Sequence, residues 1–258
     1  MASGKLFPKG SVDTIERAIL TAAGIALPFV GTALGASAVF FIRKKPSEST
    51  RKAFLGFACG VMLAASVWSL LIPAVEVHWA IAAAGFMAGV GAMVGLDASI
   101  PRLARSRGLA MGPEAMLVLA VTLHNLPEGM AVGVALAGAG VDGSLAEALL
   151  LSLGIAIQNL PEGAIISTPL TGRKKLRAFC LGTASGIVEP LGALLTLWLT
   201  AFLSPALPFV LAFAAGAMVY VVFEELAAEI HSGPHSFHGT IGMALGFTLM
   251  MVLDAALG

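Results

Sequence analysis

Residues 114–138 read EAMLVLAVTLHNLPEGMAVGVALAG. The run is long and apolar enough to cross a bilayer as one helix, which takes about 20 residues. Yet its centre holds a histidine, an asparagine, a proline and a glutamate. The hexapeptide HNLPEG (124–129) returns 34 residues later as QNLPEG (158–163), inside a second apolar run. A chain that places the same costly residues twice at membrane depth needs them there.

The rest of the sequence agrees with a membrane setting. Of 258 residues, 58% are hydrophobic and 12% are charged, and mean hydropathy is +0.93. Soluble domains carry about 25% charged residues. The runs are longer and more continuous than the roughly ten-residue alternating segments of a transmembrane barrel. The fold class is therefore an all-α polytopic membrane protein, a single transmembrane domain over 1–258. Eight spans are expected, at about 18–42, 53–72, 79–97, 114–138, 145–170, 177–201, 206–229 and 239–257. Six of them carry a Gly-xxx-Gly pair, such as Gly31/Gly35 and Gly129/Gly133, which lets helices approach closely. The first apolar run is too long for a signal-peptide core and reads as a retained span.

Basic residues set the orientation. Twelve of the fifteen Lys and Arg lie between spans one and two, three and four, or five and six. By the positive-inside rule these joins are cytoplasmic and both termini are outside. Net charge is zero, so no nucleic-acid partner is implied. Cys59 and Cys180 lie far apart in apolar segments and form no recognisable disulfide or zinc framework.

A carboxylate at a helix centre costs about 2.5–3.5 kcal/mol on insertion scales. Glu128, Glu162 and Glu189 all fall inside spans, and no Lys or Arg lies in the spans to pair with them. They must be protonated, hydrated or neutralised by a bound cation. His124 and Glu128 are i and i+4, so they share one helix face, as do Gln158 and Glu162. Pro127 and Pro161 cannot donate to the carbonyls of Leu123 and Ile157 and are expected to kink the helices. Spans four and five run in opposite directions, so the motifs can face each other. Together with Asn125, Asn159 and Glu189 they make a mixed N/O donor set that suits Zn²⁺, Fe²⁺ or Mn²⁺. A kink-capping Pro-Glu is the alternative for either motif alone; the repetition favours a cation site.

These residues carry a resemblance. HNLPEG and QNLPEG on adjacent central spans, with a glutamate in the next, resemble the ZIP family of divalent metal transporters, prokaryotic type, along the whole chain. The resemblance implies import of divalent metal, chiefly zinc and also Fe²⁺, Mn²⁺ or Cd²⁺, as transported substrate. It implies a 3+2+3 helix arrangement with inverted repeats, and a homodimer. Carried over by position, His124, Glu128, Gln158 and Glu162 form the principal site. Asn125, Asn159 and Glu189 form a second one, with Glu128 and Glu162 bridging. Some bacterial members have aspartate where this chain has Asn159, and the neutral amide should weaken the second site. Residues 98–113 lack the His-rich loop of many eukaryotic members.

Other polar residues offer a route. Asp97, Glu224, Glu225, Glu229 and His231 gather at inner span ends and could form a cytoplasmic exit, or a plain solvated helix end. Outside, Glu76, His78, Asp142 and Glu147 could attract cations. No GxxxxGK[ST] motif is present, so no ATPase subunit is expected, nor an organic cofactor. The short loops point to a prokaryotic inner membrane. An intramembrane metalloenzyme is the alternative, against which stand the missing HExxH and GxSxG motifs; a metal sensor or scaffold without flux is another.

Overall fold

Within a bilayer an apolar run can satisfy its own N–H and C=O groups only as a helix or in a closed barrel. The computed structural model describes residues 9–42, 46–106, 112–139, 144–171, 174–202 and 206–257, and among them there is no strand. Ten α-helices follow in order: α1 (Lys9–Ser37), α2 (Glu48–Ala65), α3 (Ile72–Ser106), α4 (Pro113–Gly138), α5 (Leu145–Ser167), α6 (Lys175–Ser185), α7 (Val188–Phe202), α8 (Leu207–Val221), α9 (Ala228–His231) and α10 (His238–Leu257). Two π turns, Ser66–Leu71 and Val222–Ala227, link α2 to α3 and α8 to α9. Local signals set several starts. The Ser47 hydroxyl accepts from Thr50 N–H at 3.1 Å to cap α2. That of Ser144 accepts from Ala146 N–H at 3.2 Å to cap α5. Pro113, with no N–H to lose, opens α4.

Seven helical segments are long and apolar enough to cross a membrane, and the chain is an integral membrane protein. One of them, Glu48–Ile100, is 53 residues long and contains the expected second and third spans. A loop was expected at 73–78; helix instead continues to His78, whose φ of −162° and ψ of 97° interrupt it. Pro73 follows the first π turn, where the i→i+4 ladder is already broken. The expected sixth span differs too. It breaks at Gly186–Ile187 into α6 and α7. Pro190 cannot donate to Gly186, whose carbonyl instead accepts from Glu189 N–H at 3.0 Å. By contrast α4 and α5 run unbroken through Pro127 and Pro161.

Packing sorts the helices into four pairs. The extensive pairings are α1 with α5, α4 with α7, α2 with α10 and α3 with α8, and the pairs meet through α2 on α5, α4 on α8 and α4 on α5. Each seam is lined by a glycine pair that brings backbone onto backbone. Gly31 and Gly35 face Ala156 and Leu160; Gly129 and Gly133 face Glu189 and Ala193; Gly56 and Gly60 face Gly239 and Met243; Gly85 and Gly89 face Phe209 and Phe213. A Cβ at any of the eight would run into backbone atoms of the partner helix. Between the pairs glycines meet side chains rather than backbone: Gly154 the Met250 thioether and Gly138 a Leu207 methyl.

The seams predict a sharp contrast between neighbours on one helix. Gly89→Leu should lower the thermal unfolding temperature of the detergent-solubilised protein, because overpacking costs about 1–3 kcal/mol. Gly91→Ala, where nothing lies within 4 Å of the added methyl, should leave it unchanged.

Candidate functional site

The two hexapeptides meet where α4 crosses α5. Gln158 Nε2 donates to Glu128 Oε1 at 2.7 Å. The i,i+4 spacing read from the sequence puts His124 and Glu128 on one side of this crossing and Gln158 and Glu162 on the other. The break before α7 brings Glu189 in from a third element, in that helix's first turn, where the helix dipole favours negative charge. His124, Asn125, Glu128, Gln158, Asn159, Glu162 and Glu189 are all buried, none more than 6% exposed. The structure therefore gathers all seven. Glu128 lies within electrostatic range of both Glu162 and Glu189, and Asn159 lies against Glu128 and Glu189.

The amide donors divide: Gln158 Nε2 serves Glu128 within the cluster, while Asn125 Nδ2 donates to the Ser185 carbonyl at 3.1 Å and Asn159 Nδ2 to the Pro28 carbonyl at 3.4 Å. The Thr32 hydroxyl donates to Glu189 Oε1 at 2.6 Å. What remains is a set of bare acceptors. Glu128 Oε2, Gln158 Oε1, Asn159 Oδ1, Glu162 Oε2 and Glu189 Oε2 are buried without a hydrogen-bond partner. Each such group costs about 1–3 kcal/mol, more if charged. Among the described residues no Lys or Arg pairs with these glutamates; the ion pairs of Arg51 and Lys52 go to Glu229 and Glu48. A bound cation would satisfy these acceptors, as would protonation or water. No three His, Cys, Asp or Glu side chains among the described residues are grouped to hold a metal ion, so a metal shell here would need the Gln158 and Asn159 amide oxygens as well.

A cavity of about 540 Å³ runs from this cluster to the polar ends of α2 and α9, lined by His124, Glu162, Arg51, Glu224, Glu225 and Glu229 together with apolar residues. His124 Nδ1 stands 2.8 Å from Glu225 Oε2, at ion-pair distance but without hydrogen-bond geometry. Three of the five expected exit residues thus share a cavity with the site. The other two lie elsewhere. Asp97 accepts from the Tyr220 hydroxyl at 3.0 Å, and His231 Nδ1 bonds its own helix at the Ala227 carbonyl, 2.8 Å away. A separate pocket of about 300 Å³ on the opposite side is lined by Ser69, Glu147 and Asp254 among others and reaches none of the seven. Glu76 and His78 are exposed outside it, and Asp142 lies outside the described residues.

Sequence reasoning missed Thr32 and Asp254, and took Arg51 only as a marker of orientation. A single threonine in an apolar span has no spacing to announce it. Arg51, in the first turn of α2, pairs with Glu229.

Comparison with known proteins fits this geometry. A family model described as ZIP Zinc transporter matches residues 104–254, which contain every member of the buried cluster. The zinc transporter ZIPB of Bordetella bronchiseptica is 41% identical, across 91% of this chain and 80% of its own length. The chain belongs to the ZIP family. Zinc transporter ZIP11 of Homo sapiens is 33% identical across 88% of this chain and 94% of its own length. Zinc transporter ZupT of Shigella flexneri is 32% identical across 93% and 98%.

Thr32 gives the site a test of its own. Thr32→Val keeps the shape and removes the donor to Glu189. A hydrogen bond to a charged group contributes about 1.5–3 kcal/mol to stability, so the thermal unfolding temperature of the detergent-solubilised protein should fall. Thr32→Ser should retain it.

Proposed function

We propose that this ZIP-family protein carries divalent metal, chiefly Zn²⁺, across a prokaryotic cytoplasmic membrane toward the cytoplasm by alternating access. The observation that carries this reading is the buried set of oxygen acceptors with no donor on α4, α5 and α7. A permanent hydration shell would not need carboxylates from three elements. A closed tetrahedral cage would not use labile amide oxygens. A transported cation needs both strong enough attraction to enter and weak enough attachment to leave. Thiolates are absent from the cluster, which disfavours Cu(I) and leaves Zn²⁺, Fe²⁺, Mn²⁺ and Cd²⁺ as the substrate class.

In this reading the chain crosses the membrane eight times. Glu48–Ile100 is 53 residues long, about 80 Å of helix at 1.5 Å per residue, more than twice the roughly 30 Å of hydrocarbon. The interruption at His78 is where it turns back. The packing supports inverted repeats. Exchange span one with six, two with seven, three with eight and four with five. The seam of α1 with α5 then maps onto that of α7 with α4, and α2 with α10 onto α8 with α3. The two π turns also exchange, since each lies late in its span. Both termini fall outside, on the side of the Asp254 pocket.

Alternating access would move the elements that carry the site, α1 with α4 to α7, against α2, α3, α8 to α10 and the π turn of Glu225. Every metal-site residue sits on the first group; Arg51, Glu225 and Glu229 sit on the second. Backbone-to-backbone glycine seams hold the four helix pairs, and the contact of Gly154 with the adaptable Met250 side chain would let the groups shift. The structure has the features of an inward-facing state: the inner cavity reaches His124 and Glu162, while the outer pocket reaches none of the cluster. Metal would bind deprotonated His124 and the carboxylates, pass to Glu225 and leave by Glu224 and Glu229. The same bound metal would also be able to activate water, with the spare carboxylates as bases; the family to which the chain belongs favours transport over that enzyme reading.

The test is Zn²⁺ entry into proteoliposomes. Wild type should show saturable uptake. Glu128→Ala and Glu162→Ala should each lower it by at least about a hundredfold, since each removes a carboxylate that faces the ion directly. Undiminished flux in the double variant would refute the site; zinc binding without flux in wild type would move the protein to a sensor role.

A further inference from the structure

Metal leaving the cluster enters a cavity lined by four carboxylates: Glu162, Glu224, Glu225 and Glu229. Left to itself that charge would hold a divalent ion rather than release it. Arg51 is the one Lys or Arg among the described residues lining the cavity. Its guanidinium pairs with the carboxylate of Glu229, one turn beyond Glu225, which itself reaches His124. The pair is half-open to solvent, with side-chain exposures of 31% for Arg51 and 47% for Glu229.

The backbone behind Arg51 is anchored. Its own N–H donates to the Ser47 carbonyl at 2.9 Å. The next residue, Lys52, is almost fully buried; its ammonium donates to the Pro234 carbonyl at 2.8 Å and lies 3.3 Å from Glu48. Arg51 therefore projects from a fixed point on α2 across to α9. Guanidinium stays charged at every physiological pH, so proton concentration does not switch it off.

We propose that Arg51 is a tethered counter-cation that makes the exit release metal. The proposal rests on the transport reading above and assigns Arg51 a role within it. Occupied by Arg51, Glu229 cannot join Glu225 and Glu224 around an ion, and the positive charge opposes a second cation in the same cavity. The ion that His124 passes to Glu225 thus meets too few free carboxylates to be trapped, and it moves on to water. A plain surface clip between α2 and α9 would use the same contact, so the test must separate the two.

The experiment compares wild type, Arg51→Lys, Arg51→Gln and Arg51→Gln/Glu229→Gln. Equilibrium dialysis with Zn²⁺ alone reads binding, and proteoliposome uptake reads flux. Arg51→Gln should retain zinc about tenfold more tightly in the cavity, with KM and kcat falling together. Arg51→Lys should behave like wild type. The double variant, with the extra carboxylate gone, should release zinc again. An unchanged isotherm in Arg51→Gln would overturn the proposal. So would weaker binding with a lower unfolding temperature, which is the signature of a clip. Glu128→Ala vesicles run alongside separate the two layers: loss of uptake there, with Arg51→Gln indistinguishable from wild type, refutes the counter-cation and leaves the transport reading standing.

Discussion

Five buried oxygens without donors sit at the crossing of α4, α5 and α7, and they constrain much of what surrounds them. Fold stability alone would favour replacing them with apolar atoms, because an unsatisfied buried acceptor is costly and a carboxylate more so. The surroundings satisfy them only in part. The nearby amide nitrogens turn to carbonyls on α1 and α6, at Pro28 and Ser185, and the donors that do reach the carboxylates, Gln158 and Thr32, each engage one oxygen and leave the other bare. One bare oxygen on each carboxylate is what a bound cation would use.

Holding that arrangement while letting an ion pass demands rigidity in one place and freedom in another. The glycine seams supply the first. Where α4 lies on α7, Gly129 stands against the backbone of Glu189 itself, so the carboxylates of two helices are set by direct backbone contact rather than by intervening side chains. Contacts through side chains, such as Gly154 on Met250, would supply the second. The contact from His124 to Glu225 lines the cavity, where an ion in transit would compete with it.

Much of this could be read from the residues in order. HNLPEG and QNLPEG carried their own geometry, since i,i+4 spacing on antiparallel helices leaves little choice about what faces what, and Glu189 declared itself by its cost in an apolar span. The features that escaped notice lack a local pattern. Thr32 is one hydroxyl among apolar neighbours, and only the arrival of α7 gives it a partner. The break at Gly186 was signalled by Pro190, but Pro127 and Pro161 gave the same signal and their helices continue. What separates them is Gly186, three residues before the glutamate, a point where α1 crowds the chain through Thr32. Asp97 and His231 were grouped with the exit because they share its end of the bundle; proximity along the membrane normal did not place them on the cavity wall. Helix past Pro73 was hidden by a π turn, which has no sequence signature of its own.

If the cluster holds a divalent ion, His124, Glu128, Gln158 and Glu162 touch it. X-ray absorption at the zinc edge on the zinc-loaded protein tests this claim most directly. The account predicts a shell of nitrogen and oxygen at about 2.0–2.2 Å with a single imidazole and no sulfur, and loss of that spectrum in Glu128→Ala/Glu162→Ala. A sulfur neighbour from Cys59 or Cys180, or an identical spectrum in the double variant, would place the metal elsewhere and contradict it.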